Sequence, residues 1–195
     1  AEAESLGLNI VAEEAFTADS KSDFSVQLQK CKDAGADLMF LPIYYQEASL
    51  ILQQADKIGF APTFFGVDGM DGVLGVENFD TSLAEGVMLL TPFFVNSEEE
   101  NVKSFVSGYE ETYGETPIQF AADAYDGIYA IKLAAEQAGI TADMSASDIC
   151  DAMKTAMTEI ELKGVTGTIR WTEDGEPNKE PMVLIIENGQ YAEVE

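Results

Sequence analysis

Apolar, strand-like segments alternate with helical segments throughout the first half of the chain. The strand-like runs are short and bounded by Gly, Pro or Asp, whereas the helical stretches repeat apolar residues at i, i+4 and i+7. This order is typical of a doubly wound parallel sheet, because successive parallel strands need a crossover between them. The sequence therefore predicts an α/β fold, with strands at 8–12, 36–42, 63–67 and 86–91.

The strand ADLMFLP, residues 36–42, is apolar at nearly every position. Such a run is expected where both faces of a parallel sheet are covered by helices. The helices that flank it have clear predicted boundaries. Ser22 or Asp23 supplies an N-cap for the first helix, Gly35 closes it, and Gly59 closes a second helix at 47–58.

After residue 92 the pattern becomes helical. Ser97 and Glu100 form an S-x-x-E capping box for one helix, and another helix runs from a cap at Ser145 or Ser147 to Met157. Three such helices have no strands between them, so their partner is expected in the first half or outside the chain. The helix in the middle carries an apolar stripe formed by Phe120, Ala121, Ala124, Ile128, Ile131, Ala135 and Ala138.

The end of the chain returns to strands. GTIRW and MVLIIE have strand character, and Asn188-Gly189 is a strong signal for a two-residue hairpin turn. TEDGEPNKE, residues 172–180, lacks the ligand spacing of a calcium loop, so we predict a surface turn there and a packing role for Trp171.

The charge of the chain excludes several classes of function. Ten Lys and Arg residues stand against 36 Asp and Glu residues, which gives a net charge of −26, and there is no histidine. Nucleic acids and anionic membrane surfaces would be repelled. Without histidine, Ser-His-Asp catalysis and imidazole metal sites are excluded.

The two cysteines do not indicate a disulfide framework or a metal site. Cys31 and Cys150 lie far apart, lack CxxC spacing and fall on apolar helical stripes, so we predict two buried thiols. No run of about 18 apolar residues is present. We expect no metal and no cofactor.

A ligand site is predicted where two neighbouring strands end. In open α/β sheets, ligands bind beyond the carboxyl ends of the strands. Tyr44 and Tyr45 follow one strand, and Asp68, Gly69 and Asp71 follow the next. An aromatic ring and a carboxylate together can bind an ammonium group through cation–π contact and a charge-assisted hydrogen bond.

Structural roles are the alternatives at these positions. Either tyrosine can pack at a strand end, and Asp68 can form an Asx turn or a helix cap. Gly69 and Asp71 are weaker candidates. An acid/base pair of Asp68 and Asp71 would indicate a hydrolase, but no nucleophile, metal set or phosphate loop accompanies them, so we do not expect an enzyme.

The order of these motifs resembles one known family. The segments that carry the resemblance occur in the following order: F-x-x-Q-L-x-x-C-K-x-A-G-A-D, a strand followed by YY, ILQQADKIGF, FFGVDG, FVSGYEETYGETPIQFAADAYDGIYAIKLAAEQAG and GVTGTIRWTEDGEPNKEPMVLIIENGQY. Together they resemble the type I periplasmic binding proteins of the branched-chain amino-acid class, the solute receptors of ABC importers. The resemblance covers essentially the whole chain.

The resemblance implies an architecture of two α/β lobes joined by crossover strands. Residues 1–95 would form the α/β core of the second lobe, 96–165 the helical return segment of the first lobe, and 166–195 the hinge crossover and closing strands. The opening stretch of a typical member, which forms most of its first lobe, has no counterpart here. That difference would account for the three helices without a sheet.

The resemblance also implies a function and a site. A tyrosine, Tyr44 or Tyr45, and an acidic residue, Asp68, would hold the ligand's ammonium, and the family has Glu where this chain has Asp68. The expected partners are a small amino acid and an ABC permease in the membrane, and the chain alone is expected to self-associate. The expected location is extracytoplasmic, either periplasmic or as a cell-surface lipoprotein. A ligand-sensing domain on the same fold is the alternative function.

Overall fold

The computed structural model describes residues 2–194. The chain divides into two compact units, one formed by the segment up to Leu90 together with the segment from Val183 onward, the other by Thr91–Met182. The lobe boundaries at 95 and 165 that the family resemblance implies stay a prediction.

Helices and strands alternate in the first unit and helices dominate the second. The α-helices are α1 (Glu2–Ser5), α2 (Ser25–Asp33), α3 (Tyr45–Lys57), α4 (Glu100–Tyr113), α5 (Gln119–Gln137) and α6 (Ala146–Met157). The strands are β1 (Leu38–Leu41), β2 (Thr63–Gly66), β3 (Met88–Thr91), β4 (Leu162–Gly164), β5 (Gly167–Ile169), β6 (Met182–Glu187) and β7 (Gln190–Glu193). Short 3-10 helices cover Ala18–Ser20, Asp68–Met70, Val73–Gly75 and Thr81–Ala84.

The main sheet has five strands in the order β1-β2-β3-β6-β7. β1, β2 and β3 pair in parallel, with Leu41 opposite Gly66 and Gly66 opposite Leu89. β6 and β7 form the predicted antiparallel hairpin, whose turn residues Asn188 and Gly189 both have positive φ. The predicted α/β class with a parallel sheet is confirmed.

Helices α2 and α3 end as the sequence predicts. Gly35 and Gly59 both adopt positive φ just beyond the last helical residue, a conformation that glycine tolerates without steric cost. At the start of α2, the Asp23 carboxylate accepts from the Ser25 N–H at 3.0 Å and from the Ser25 hydroxyl at 2.5 Å. The N-cap position is Phe24, so neither Ser22 nor Asp23 is the predicted cap. Asp23 bonds Ser25 from one residue earlier, and the Ser22 carbonyl accepts from the side chain of Gln54.

The strand predicted at 8–12 is absent. This stretch has no regular secondary structure, and its apolar side chains Leu8, Ile10 and Val11 are exposed. A strand forms only when its backbone pairs with another strand, and the local pattern does not specify that partner. The apolar pattern of residues 8–12 alone is therefore not sufficient to form a strand.

The prediction that β1 is covered on both faces is also wrong. β1 is an edge strand of the sheet, and its residues Leu38 and Phe40 are 52% and 55% exposed. These two side chains lie on the same face because residues i and i+2 share a face of a strand. Leu41 points to the opposite face and is buried.

The second unit is built around α4, α5 and α6. Ser145 caps α6 as predicted, because its hydroxyl oxygen accepts from the Asp148 N–H at 3.2 Å. The capping box at Ser97 and Glu100 does not form. α4 begins at Glu100, and Ser97 instead accepts from the Glu99 N–H in the preceding turn.

The apolar stripe of α5 is largely uncovered. Phe120, Ile128 and Ile131 are exposed, whereas the opposite side of α5 buries Ala122, Ala130 and Ala134 in the unit. The expectation that the three helices find their partner in the first half or outside the chain stays a prediction. Cys31 is buried as predicted, but Cys150 is exposed, because the stripe Cys150, Met153 and Met157 is only partly covered.

A buried carboxylate fixes the turn between β4 and β5. Asp126 on α5 accepts from the backbone N–H groups of Val165 and Thr166 at 2.9 and 2.8 Å, and from the Thr166 hydroxyl at 2.6 Å. The side chain of Asp126 is almost fully buried. Buried charges are tolerated when hydrogen bonds replace those lost to water, and three donors meet that requirement here.

Candidate functional site

Two loops carry the residues predicted to bind a ligand, and each follows a strand of the first unit. Tyr44 lies between β1 and α3 in an extended conformation, and its carbonyl accepts the first helical bond from the Ala48 N–H. Its side chain is 63% exposed, while that of Tyr45, the first residue of α3, is half-buried. The strand end therefore presents one tyrosine to solvent and packs the next.

Asp68 begins the 3-10 helix Asp68–Met70 that follows β2, and its side chain is exposed. One carboxylate oxygen accepts from the Gly69 N–H at 2.8 Å. Within residues 2–194 this carboxylate forms no ion pair with a lysine or arginine. Its charge is thus available to a cation from solution.

Gly69 brings these two loops into contact. A Cβ placed on Gly69 would lie 2.8 Å from the Ile43 carbonyl oxygen and 3.3 Å from Cδ1 of the Tyr44 ring. Real Cβ atoms do not approach a backbone oxygen this closely, so only glycine fits here. The Tyr44 ring therefore lies beside the turn that carries the Asp68 carboxylate.

Gly66 has a packing role of the same kind. A Cβ at Gly66 would lie 3.0 Å from Cβ of Met70, and closer still to the Met70 sulfur. Met70 is fully buried and fills this space under the turn. At both glycines the space that a side chain would need is filled by the protein itself.

Asp71, the weaker candidate, differs from Asp68 in its surroundings. It is 6% exposed, and its carboxylate accepts a hydrogen bond from the Tyr191 hydroxyl of β7. The same hydroxyl oxygen accepts from the Gly72 N–H at 3.1 Å. Tyr191 is a residue that the sequence reasoning missed, because only the sheet order brings β7 within reach of this loop.

A shallow groove of about 430 Å³ lies next to Tyr45. The groove is lined by Tyr45, Gln46, Ser49, Leu50, Gly75, Val76 and Glu77.

In residues 2–194 no three acidic or cysteine side chains cluster as a metal site would require. None of the helices in the same range combines the length and apolar composition of a membrane-spanning segment.

Comparison with protein families gives one match over nearly the entire chain. The model of the periplasmic binding protein family matches residues 1–190. The chain belongs to this family. The resemblance noted from the motifs is thereby confirmed.

Individual relatives of this periplasmic binding protein are distant in sequence. Leu/Ile/Val-binding protein homolog 7 of Brucella abortus (strain 2308) is 29% identical over 165 residues, which cover 77% of this chain and 40% of that protein. The chain therefore spans less than half the length of this curated relative.

Solved structures agree in fold. The branched-chain amino acid transporter substrate binding protein LivJ from Streptococcus pneumoniae, in complex with isoleucine, has 29% identity and a TM-score of 0.80, covering 96% of this chain and 52% of LivJ. The leucine binding protein LivK from Thermotoga maritima has 26% identity and a TM-score of 0.80, covering 98% of this chain and 53% of LivK. This chain thus matches about half of each neighbour.

Proposed function

We propose that this periplasmic binding protein binds the ammonium group of a small amino acid, branched-chain or similar, at Tyr44 and Asp68. The observation that carries the proposal is the contact of Gly69 with Ile43 and Tyr44, which holds an exposed aromatic ring beside an exposed carboxylate. A carboxylate without a lysine or arginine partner attracts an ammonium group, and the ring adds cation–π contact. Tyr45 is half-buried and therefore offers less of its ring to a ligand.

Asp68 makes the decisive polar contact in this proposal. Its carboxylate already accepts from the Gly69 N–H, which orients it, and the other oxygen remains for the ligand. The net charge of −26 adds a field that favours a cationic group over an anionic one at the rim, which is the edge formed by the loops that carry Tyr44 and Asp68. Gly69 contributes through its lack of a side chain rather than through ligand contact.

We further propose that the protein works as the solute receptor of an ABC importer outside the cytoplasm. The names of its relatives, which include a transporter substrate binding protein, support this role. Delivery to a membrane permease would follow ligand capture.

The test is a thermal-shift screen of free amino acids on the complete native protein that contains these 195 residues. A ligand at about 100 times its Kd stabilises a protein by about 2.7 kcal/mol, a shift of several degrees. We expect that shift with a branched-chain or similar small amino acid, and its loss when the ligand's ammonium is acetylated. The absence of a shift with every amino acid would overturn the proposal.

A further inference from the structure

The Tyr191 hydroxyl bonds two consecutive residues of the loop that carries Asp68. It accepts from the Gly72 N–H at 3.1 Å and donates to the Asp71 carboxylate. Tyr191 lies in β7, at the far edge of the sheet order and 119 residues further along the chain from Gly72. A long-range contact thus fixes the end of this loop.

The turn itself makes few backbone hydrogen bonds, and Met70 anchors its middle by packing under Gly66. Inside the turn, the Met70 N–H donates to the Val67 carbonyl, and the Asp71 N–H donates to the Asp68 carbonyl at 3.1 Å. After these two bonds the chain reverses at Gly72, which has φ of 104°. A single 3-10 turn is weak by itself, so its orientation depends on what holds its two ends.

The start of the turn is held by β2 and by the contact of Gly69 with Ile43. Its end is held by Tyr191. Asp71 is buried and needs a hydrogen-bond donor, and the Tyr191 hydroxyl supplies one. Without the hydroxyl, the Gly72 N–H loses this acceptor and the Asp71 carboxylate loses this donor.

We propose that Tyr191 is a positioning residue of the ligand site, which holds the Asp68 carboxylate in place through Asp71 and Gly72. This inference rests on the proposed function, since it takes Asp68 as the ligand contact. It assigns Asp71 to the support of the site rather than to the ligand. The Tyr191 hydroxyl on β7 thereby affects the affinity for the ligand without contacting the ligand.

The protonation state of Tyr191 suits this role. Burial raises the pKa of its phenol well above the ordinary value of 10.0, and the neighbouring charge of Asp71 raises it further. The phenol is therefore protonated throughout the physiological pH range and keeps its donor for Asp71.

The test compares Tyr191→Phe with Ile186→Val in the complete native protein that contains these residues. Ile186 pairs with Tyr191 in the β6–β7 hairpin and is fully buried, so Ile186→Val perturbs the same hairpin while the Tyr191 hydroxyl stays in place. We expect Tyr191→Phe to weaken amino-acid binding about tenfold by calorimetry, because the loop loses the bonds that this hydroxyl makes with Gly72 and Asp71. Ile186→Val should lower Tm and leave Kd within about twofold. Equal effects of both variants on Kd would overturn the proposal.

A double-mutant cycle separates positioning from general stability. In an Asp68→Asn background, Tyr191→Phe should change Kd far less than in the wild type, because the carboxylate that it positions is gone. Additive effects of the two substitutions on Kd would contradict the proposal. The amino acid used in these Kd measurements is the one that gives the largest thermal shift.

Amide hydrogen exchange provides a readout that needs no ligand. The Gly72 amide lies outside helix and strand, yet it should be protected in the wild type and lose at least tenfold protection in Tyr191→Phe. A Gly72 amide that exchanges freely in the wild type would overturn the proposal. If the wild type binds no amino acid while Gly72 is protected, the proposed function fails and the Tyr191 contact stands.

Discussion

The Gly69 backbone lies against the Ile43 carbonyl oxygen, at a separation that a Cβ on Gly69 would reduce to 2.8 Å. These residues follow different strands, β2 and β1, and their contact is what places Asp68 beside Tyr44. The geometry of the rim is thus set by the absence of a side chain. It follows that the site is sensitive to a single methyl group.

Gly69→Ala should displace one loop from the other. We expect a loss of about 1–3 kcal/mol in the free energy of unfolding, the usual cost of overpacking, together with weaker amino-acid binding. The matched control is Gly75→Ala, because a Cβ at Gly75 meets nothing within 4 Å and its φ is not positive. Urea unfolding of both variants tests this, and equal stability of the two would contradict the account.

Much of the parallel sheet was predictable because residues close together in the sequence determine its helix ends, its hairpin turn and its first strand. Gly35 and Gly59 end their helices, Asn188-Gly189 closes the hairpin, and the apolar run at 36–42 forms β1. The rim was predictable as well, since the carboxyl ends of adjacent parallel strands share one edge. These features need no knowledge of distant partners.

Other features depend on partners that a local pattern does not contain. Residues 8–12 have the composition of a strand but do not form one. The capping box predicted at Ser97 does not form, because α4 begins only at Glu100. Tyr191 was missed for the same reason: nothing in its neighbours along the chain indicates a bond to Gly72. Long-range pairing, not propensity, decides these cases.

The second unit has its own steric requirement at Gly164. A Cβ there would overlap the Asp126 carboxylate, which holds the β4–β5 turn. Gly164→Ala should therefore cost about 2–4 kcal/mol of unfolding free energy, because the buried carboxylate and its donors separate.

The control for Gly164 is Gly127→Ala on α5. A Cβ at Gly127 meets nothing within 4 Å, and alanine is the better helix former by about 1 kcal/mol. We expect this variant to unfold at higher denaturant concentration than the wild type. Destabilisation by Gly127→Ala, or tolerance of Gly164→Ala, would contradict the packing described for Asp126.

Stability at acid pH should depend on Asp23. Its hydrogen bonds from the Ser25 hydroxyl and N–H lower the pKa of its carboxyl from the ordinary 3.8. A lowered folded-state pKa gives stability that is present above the unfolded value and lost as pH falls through the folded value. The difference in urea midpoint between wild type and Asp23→Ala should be present at pH 7 and shrink as the pH falls below the ordinary carboxyl pKa. A difference that grows on acidification would count against this bond.

The exposed stripe of α5 should drive self-association of the 195-residue chain. Ile128 and Ile131 are 66% and 56% exposed, and burying them against a second copy removes apolar surface from water. We expect light scattering to show a mass that rises with concentration, and a monomer after Ile128→Glu with Ile131→Glu. Lys154→Glu on α6, also exposed, makes the same charge change and should leave association intact. A wild-type chain that stays monomeric would contradict the prediction.

The central claim is that Asp68 receives the ammonium group of an amino acid. Isothermal calorimetry on the complete native protein, with Asp68→Ala beside Asp56→Ala, tests it most directly, because Asp56 is an exposed carboxylate near the opposite end of α3 from the rim. A charge-assisted contact that the ligand covers on binding predicts at least about a 100-fold loss of affinity in Asp68→Ala, with unchanged affinity in Asp56→Ala. Unchanged affinity in a folded Asp68→Ala variant would contradict the account.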